Sequence, residues 1–180
     1  MKKLKNEELN RLSPEEFKGA IKIPVALVLD DVRSAMNVGS AFRTSDAFLI
    51  EKIYLCGITA TPPHREINKT ALGAQDTVEW EHVESIESCI HALKEDGYHI
   101  IAVEQADQST SLLDFRVEKD TKYAFVFGNE VFGVNDKTVA SADTVLEIPQ
   151  YGTKHSLNIS VSIGVVLWDF VRKVKNRIQP

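Results

Sequence analysis

The chain reads VALVLDDVRSAMNVGSAFRTSDA from residue 25 to residue 47. Its first five residues, Val25 to Leu29, form a short apolar run rich in β-branched side chains, which is typical of a strand buried in a parallel sheet. The segment 37–47 then has the pattern of a helix. A buried strand that leads into a helix predicts an α/β fold.

The same alternation continues along the chain. Further strands are predicted at 52–56, 78–82, 99–103, 123–127 and 144–148, and further helices at 85–95 and 135–140. Alternating strands and helices predict a mostly parallel sheet with helices on both faces. The order of the strands does not follow from the pattern.

The chain has 180 residues, of which 43% are hydrophobic and 26% charged, as expected for one globular domain. Ser13-Pro14-Glu15-Glu16 has the form of a capping box and predicts a short helix. We expect residues 1–20 to form an N-terminal helical extension and residues 21–180 a single domain. Because no run of about eighteen apolar residues occurs, we expect a cytoplasmic protein without a membrane span.

The formal net charge of −5 counts against nucleic-acid binding, because Lys and Arg make the phosphate contacts. The distribution weakens this objection, since acidic residues crowd the segment 79–87 and basic ones gather elsewhere. The basic residues are Lys2, Lys3, Lys5 and Arg11 near one terminus, Arg172, Lys173, Lys175 and Arg177 near the other, and Arg65 and Lys69 between them. A solvated face explains either terminal cluster equally well, so charge leaves RNA binding open.

The two cysteines, Cys56 and Cys89, have neither a metal-type nor a redox-type spacing, which predicts buried or half-buried free thiols. The five histidines show no ligand spacing with cysteines or carboxylates, so no metal site is expected.

The segment 157–174 has apolar residues around nearly the whole circumference of a helix. One sheet covers only one side of such a helix, so a second subunit is a natural cover for the other, and a homodimer is predicted. Ser160 and Gly164 lie one turn apart and would let another helix approach closely. The alternative is a helix enclosed entirely by its own domain.

Three segments carry groups suited to chemistry. In the first, residues 37–44, Asn37 suits the N-cap of a helix and Gly39 allows close backbone approach. Arg43 lies one helical turn beyond Gly39, where its guanidinium would reach over the surface that the glycine leaves bare and meet a phosphate or ribose. An ordinary capped helix with a surface arginine is the alternative.

The second segment, FGNEVFG at 127–133, places Glu130 between two glycines at the end of an apolar strand. Open α/β sheets bind ligands at such turns, and Glu130 could anchor Arg43; a plain turn is the alternative. The third segment, IPQYGTKHSLNISVS at 148–162, places Ser156 and Asn158 where the terminal helix begins. Ser156 suits the N-cap, but the other polar groups beside so apolar a helix still need partners, because an unsatisfied buried one costs about 1 to 3 kcal/mol.

Taken together, the three segments resemble the motifs of the SpoU/TrmH-type tRNA/rRNA 2′-O-methyltransferases of the SPOUT superfamily. The resemblance runs from Val25 to Phe170 and includes KTALGA at 69–74, which is similar to tRNA-modifying members. It implies a C-terminal deep trefoil knot that forms an S-adenosylmethionine pocket, in a homodimer. By position it implies catalytic or substrate-binding roles for Asn37, Arg43, Glu130, Ser156 and Asn158. It also implies a cofactor pocket lined by Ala102, Val103, Glu104, Gly128, Ile148 and Leu157.

The chain departs from the family pattern at three places. Leu49 stands where the family usually has a glycine, Val131 where a glycine or polar residue is frequent, and Lys154-His155 is not part of the pattern. These departures leave local loop geometry and substrate choice open.

The resemblance implies methyl transfer from S-adenosylmethionine to a ribose 2′-hydroxyl of RNA. The basic termini and the region from Arg65 to Lys69 would have to bind tRNA without an auxiliary domain, and on that basis we favour tRNA over rRNA. A guanidinium is a poor base, so we expect Arg43 to bind the adjacent phosphate and stabilise oxyanion charge while Asn37 and Glu130 orient it. His155 is an alternative base. A catalytically silent RNA-binding or ribosome-assembly protein is the second interpretation, and a nucleotide-binding oxidoreductase, without a Gly-x-Gly-x-x-Gly turn, the weakest.

Overall fold

The fold, described by a computed structural model over residues 1–178, is built on seven strands. They are β1 (Ile23–Asp30), β2 (Ile50–Cys56), β3 (Glu79–Val83), β4 (Tyr98–Val103), β5 (Thr110–Ser111), β6 (Lys122–Phe127) and β7 (Thr144–Glu147). The last two residues of the predicted domain 21–180 lie outside the described residues, as does the side chain of Arg177.

The described helices are α1 (Pro14–Gly19), α2 (Ala35–Ala47), α3 (Arg65–Ala71), α4 (Ile86–Glu95), α5 (Asp136–Ser141) and α6 (Ile159–Ile178), with short 3-10 turns at Asn6–Glu8 and Ala74–Asp76. The strand order is β3-β2-β1-β6-β4-β7-β5, and every neighbouring pair is parallel. The predicted α/β fold with a mostly parallel sheet is therefore confirmed.

Two apolar cores lie on opposite faces of the sheet, because successive strand side chains alternate in direction. On one face Leu27 packs in a cluster with Phe42 of α2 and Phe170 of α6. On the other face Val28 packs in a cluster with Ile90 of α4. The predicted helices on both faces are present. Alternate side chains of β1 are buried on opposite faces of the sheet, which explains why the run 25–29 is apolar throughout.

The predicted strands and helices are present with ends that differ by at most two residues, except that α6 ends four residues beyond the predicted segment 157–174; α3 and β5 were missed. The predicted N-cap Asn37 is also wrong. Helix α2 begins at Ala35, and the hydroxyl oxygen of Ser34 accepts a hydrogen bond from the Asn37 backbone N–H at 3.3 Å. Asn37 therefore lies in the first turn, and its side-chain amide is available for contacts outside the helix.

The surface over Gly39 is not bare, which corrects the expectation that Arg43 reaches a ligand there. Helix α3 packs against α2 at this point, and a methyl group on Gly39 would overlap the Thr70 hydroxyl and the Ile67 carbonyl. Thr70 also donates a hydrogen bond to the carbonyl of Met36 at 3.0 Å. The glycine serves helix packing instead of ligand approach.

Helix α6 begins at Ile159, two residues later than predicted, and it is covered on one side only. Ile163, Val166, Leu167 and Phe170 are buried in the core that includes β1 and α2, and Val171 is buried as well. Val161, Val165 and Trp168 are exposed, Trp168 at 58%. A helix enclosed entirely by its own domain is therefore wrong.

The N-terminal helix α1 has the predicted capping box: Ser13 Oγ accepts from the Glu16 N–H, and Glu16 accepts from the Ser13 N–H at 2.7 Å. Its Phe17 is buried in the same core as β1 and α2. The division into an extension over residues 1–20 and a domain over residues 21–180 stays a prediction. Cys56 and Cys89 are buried and free, as predicted. None of the helices described is long and apolar enough to cross a membrane.

Candidate active site

A cavity of about 760 Å³ opens where β4, β6 and β7 end. Its walls come from the residues just beyond those strands, from the turn after β6, and from the start of α6. The lining residues include Val103, Glu104, Gln105, Gly128, Glu130, Phe132, Leu146, Ile148, His155, Ser156, Leu157 and Asn158. The carboxyl edge of a parallel sheet is where open α/β folds bind ligands.

The turn after β6 is fixed by its own backbone. The N–H of Asn129 donates to the carbonyl of Gly133 at 3.0 Å, and the N–H of Gly133 donates back to Asn129 at 2.8 Å. Gly133 has a φ of +71°, which favours glycine. A methyl group on Gly128 would overlap the Gly133 carbonyl, so both glycines of the second segment are required for the sharp turn that was predicted.

Glu130, at the tip of this turn, holds the beginning of α2. One carboxylate oxygen accepts from the Arg33 N–H at 2.9 Å, and the other from the Ser34 N–H at 3.0 Å and the Asn37 side-chain amide at 2.9 Å. Burial by itself would raise the pKa of Glu130, but these donors outweigh it and lower the pKa below its usual value. Glu130 is therefore an anionic clamp between the first and second segments.

Asn37 also contacts the third segment. Its side-chain oxygen accepts from the Asn158 amide nitrogen at 3.4 Å. The side-chain oxygen of Asn158 accepts in turn from the N–H of Ser160 at 2.9 Å and from its hydroxyl at 2.6 Å. Asn158 thus caps α6, in place of the Ser156 N-cap considered earlier, and all three segments meet at Asn37.

The structure places most, but not all, of the predicted site residues at the cavity. Glu130, Ser156 and Asn158 line it, and Asn37 lies one hydrogen bond behind it. Arg43 does not line it: it is six residues beyond Asn37 on α2, on another face of the helix, and exposed. The expected contact between Glu130 and Arg43 is wrong, because the three donors to Glu130 are Arg33, Ser34 and Asn37.

Of the predicted cofactor-binding residues, Val103, Glu104, Gly128, Ile148 and Leu157 line the cavity. Ala102 does not, which corrects that prediction. It lies within β4, is fully buried, and packs in the core beneath α4.

Two lining side chains join the loops of the cavity, and only one had been singled out. The carboxylate of Glu104 accepts from the N–H of Val134 at 3.0 Å and from the N–H of Gln105 at 2.8 Å. The side-chain amide of Gln105, which was missed, donates to the carbonyl of His155 at 2.7 Å. Its place two residues beyond the predicted strand end at 103 was the available signal.

The loop 150–158 carries exposed basic side chains close to the cavity. Lys154 and His155 are exposed, and residues 148–168 contain no acidic residue. Among the described residues, no group of three His, Cys, Asp or Glu side chains could hold a metal ion. The basic groups of this loop suit an anionic ligand, whereas the cavity lining also carries the carboxylates of Glu104, Glu130 and Asp136.

A model of the SpoU rRNA Methylase family matches residues 24–168. The chain belongs to this family. The SpoU membership confirms the resemblance seen in the three segments, which are the same ones that converge on the cavity.

Relatives of this SpoU protein act on two kinds of RNA, as their names state. It is 31% identical over 144 residues to the 23S rRNA (guanosine-2′-O-)-methyltransferase RlmB of Neisseria meningitidis serogroup B. The aligned residues cover 80% of this chain and 56% of the relative. It is 25% identical over 151 residues to a tRNA (guanosine(18)-2′-O)-methyltransferase of Borreliella burgdorferi, covering 84% of this chain and 67% of the relative. The chain thus spans little more than half of the first relative.

Among solved structures, the AdoMet-bound rRNA methyltransferase from Sinorhizobium meliloti superposes on this SpoU protein with a TM-score of 0.78. The two share 26% identity over 90% of this chain and 61% of the other. The fold of the family is therefore present. The trefoil knot stays a prediction of that membership.

Proposed function

We propose that this chain transfers a methyl group from S-adenosylmethionine to a ribose 2′-hydroxyl of RNA. The observation that carries the proposal is the meeting of the three family segments at one cavity, through hydrogen bonds from Asn37 to Glu130 and between Asn158 and Asn37. The relatives named above are 2′-O-methyltransferases, and one neighbour in fold is AdoMet-bound.

The cavity fits a nucleoside-sized cofactor. Its volume of about 760 Å³ lies in the range of small-molecule sites, roughly 300 to 1,000 Å³. Apolar side chains of Val103, Leu146 and Ile148 suit the faces of an adenine ring, and backbone groups around Gly128 suit its polar edges. S-adenosylmethionine supplies a methyl group on a sulfonium, whose C–S electron pair stays on sulfur when the methyl moves to oxygen.

The residues of the chain have to align the hydroxyl and help its proton leave, because a ribose hydroxyl is a very weak acid. Positioning supplies much of such catalysis. Glu130 and Asn158 fix the Asn37 amide at the edge of the cavity. Ser156, which lines the cavity, is a polar group within reach of a bound ribose.

Arg43 contributes from outside the cavity in this proposal. It is exposed on α2, and a guanidinium with a pKa above about 12 binds a phosphate far better than it removes a proton. We assign it to the RNA phosphate beside the target ribose, where it also stabilises charge developing on the oxygen. His155, at the mouth of the cavity, is the alternative proton acceptor, and a pH–rate profile unchanged by His155→Ala would exclude that role.

The test is incubation of the full chain with labelled S-adenosylmethionine and RNA from a strain lacking the gene, followed by mapping of the methylated ribose. We expect Arg43→Ala to lower transfer about 100-fold or more and Arg43→Lys to restore little of it, because lysine lacks the bidentate geometry. The exposed Arg116, away from the cavity lining, gives the matched control Arg116→Ala, which should be neutral. Full transfer by Arg43→Ala would exclude the assigned role.

Cofactor binding separates this proposal from the silent RNA-binding interpretation. Calorimetry should show S-adenosylmethionine bound by the wild-type chain and by Arg43→Ala. The silent interpretation would be favoured if the wild-type chain binds RNA, does not bind the cofactor and does not transfer methyl groups.

We further propose tRNA over rRNA as the substrate. Arg65 and Lys69 are exposed on α3, beside the segment 69–74 that is similar to tRNA-modifying members. Both classes occur among the relatives, so the labelled RNA has to be separated by size. Incorporation into large RNA alone would overturn this preference.

We propose a homodimer in which the exposed side of α6 faces a second copy. Val161, Val165 and Trp168 form an apolar surface there that the sheet leaves uncovered. Trp168→Glu should lower the mass measured by sedimentation to that of a monomer. Ile21→Glu, a change at a site with 94% exposure near the amino ends of the strands, is the control that should leave the mass unchanged.

A further inference from the structure

The side chain of Phe132 lines the active-site cavity and is nevertheless 84% exposed. Burying a phenylalanine is strongly favourable, so a large exposed ring at the mouth of a cavity marks a contact to something else. Nothing in the catalytic arrangement of Asn37, Glu130 and Asn158 uses this ring. Val131 beside it is also exposed, at 65%, and lines the same cavity.

The turn that carries Phe132 is held rigidly. The side-chain oxygen of Asn129 accepts from the N–H of Val131 at 2.9 Å and from the N–H of Phe132 at 3.2 Å. The amide nitrogen of Asn129 donates to the carbonyl of Asp31 at 2.8 Å, which ties the turn to the end of β1. The backbone under the ring is therefore preorganised, and little ordering of the turn remains to be done when a ligand binds.

We propose that Phe132 is the platform on which the base of the target nucleotide stacks. This inference rests on the proposed function and specifies how that site holds its RNA. Proteins recognise single-stranded RNA by stacking its bases on aromatic side chains, and every base has a π-face to offer. Phe132 consequently contributes affinity for a splayed nucleotide without selecting which base it is.

Charged groups around the ring support an RNA ligand. Lys154 and His155 are exposed on the loop 150–158 across the mouth, and no acidic residue occurs in residues 148–168. Arg33, next to the turn through its N–H bond to Glu130, is exposed as well. The cations Arg33 and Lys154 suit phosphates on either side of a nucleotide stacked on Phe132.

An adenine of the cofactor shares the stacking chemistry of an RNA base, but its position differs. The apolar residues Val103, Leu146 and Ile148 of the cavity would enclose the cofactor, whereas the Phe132 ring is exposed. We therefore assign the ring to the RNA.

The test compares Phe132→Leu, which keeps an apolar side chain, with Phe132→Trp, which keeps an aromatic one. Loss of stacking should weaken binding of oligoadenylate by about 5- to 150-fold for Phe132→Leu, and Phe132→Trp should restore it. An oligomer with the same ribose-phosphate backbone but no bases should bind the wild type and Phe132→Leu equally. Leu113→Ala, at an exposed apolar residue outside the cavity lining, is the control and should leave oligoadenylate binding unchanged.

In methyl transfer, Phe132→Leu should raise the KM for RNA by a similar factor and leave kcat unchanged. Calorimetric affinity for S-adenosylmethionine should be the same as in the wild type. Equal oligoadenylate binding by the wild type and Phe132→Leu would overturn the inference and leave the proposed function standing. Phe132-dependent binding by a chain that transfers no methyl group would support the inference and contradict the proposed function.

Two further outcomes would overturn it. Loss of S-adenosylmethionine binding in Phe132→Leu would place the ring against the cofactor. A lower mass of Phe132→Leu in sedimentation would mean that a second subunit covers the ring.

Discussion

Two clefts of the same volume, about 760 Å³, lie at opposite edges of the sheet. The carboxyl-edge cleft is the candidate active site. The amino-edge cleft lies where β1, β2 and β3 begin, and it is lined by residues that include Lys18, Lys22, Glu51, Lys52, Glu79 and Trp80. Size does not distinguish the two clefts, so their polar groups must.

At the amino edge two of the three lining lysines, Lys22 and Lys52, have partners within the chain. Lys22 donates to the carbonyls of Phe17 and Ala20, and Lys52 pairs with Glu81 at 2.7 Å. At the carboxyl edge, Glu130 and Asn37 hold backbone segments in place, while Phe132 and His155 remain exposed at the cavity. The candidate active site differs from the other cleft in having a hydrogen-bonded backbone beside exposed side chains, and not in its volume.

The largest effect should come from removing the clamp at the carboxyl edge. Glu130→Ala leaves the N–H groups of Arg33 and Ser34 and the Asn37 amide without their acceptor. A misplacement of about 1 Å can cost about 100-fold in rate, so we expect at least that loss in kcat/KM. The control is Glu79→Gln in the amino-edge cleft, which should be neutral; equal losses in both variants would erase the difference between the clefts.

The carboxyl edge also carries a costly buried charge. Asp30, at the end of β1, is only 6% exposed, and burial, together with Asp31 and Glu87, raises its pKa from 3.8 to about 6. The folded state then binds the proton more tightly than the unfolded state, so stability falls as pH rises from about 4 to about 6 and stays lower above that.

Asp30→Asn should therefore increase the free energy of unfolding at pH 8, by up to about 3 kcal/mol for two pKa units, and change it little near pH 4. Urea denaturation at the two pH values measures this. The amino-edge variant Glu79→Gln serves again as the control. A gain of equal size at pH 4 and pH 8 would show that the charge of Asp30 is not the cause.

Two glycines, Gly39 and Gly19, differ in how tightly their surroundings are packed, and their alanine variants should therefore differ in stability. Gly39→Ala would force a methyl group into Thr70 and Ile67 and shift α2, which carries Asn37, so we expect a loss of about 1 to 3 kcal/mol. Gly19 of α1, near the amino-edge cleft, has nothing within 4 Å of an added Cβ. Gly19→Ala should be neutral or slightly stabilising, and thermal melts of both variants should differ accordingly. Equal melting temperatures would mean that α3 yields to the methyl group.

The smallest effect concerns backbone strain at the end of α3. Leu72 has a φ of +53° and is 65% exposed, so Leu72→Asn should add about 1 kcal/mol of stability by suiting the left-handed conformation. Leu49, where the family usually has a glycine, has a similar φ of +54° but packs against the core. Leu49→Gly should gain less, because it loses those contacts; a larger gain in urea denaturation would contradict this.

The strands were predictable because burial on both faces leaves continuous apolar runs, as from Val25 to Leu29. Strand β5 was not, since its two residues are defined only by pairing with β7. Helix α3 was missed because it is short, with only Ile67 and Ala71 buried.

At the candidate site, too, some features were predictable from the sequence and others were not. Asn37, Glu130 and Asn158 were identified from their types and places, yet their connections were not. Glu130 was expected to pair with an opposite charge, and two of its three donors are backbone N–H groups that no side-chain pattern records. Ser34 and Asn37 both suit an N-cap, and only the path of the chain after β1 decides between them.

The contact between Asn158 and Asn37 joins residues 121 positions apart in the chain. Asn158 follows all seven strands, so the sheet can be complete during synthesis on the ribosome while the last wall of the cavity is still missing. A nascent chain of this length would have all its strands but would lack α6, which covers part of one face of the sheet and follows the last wall of the cavity.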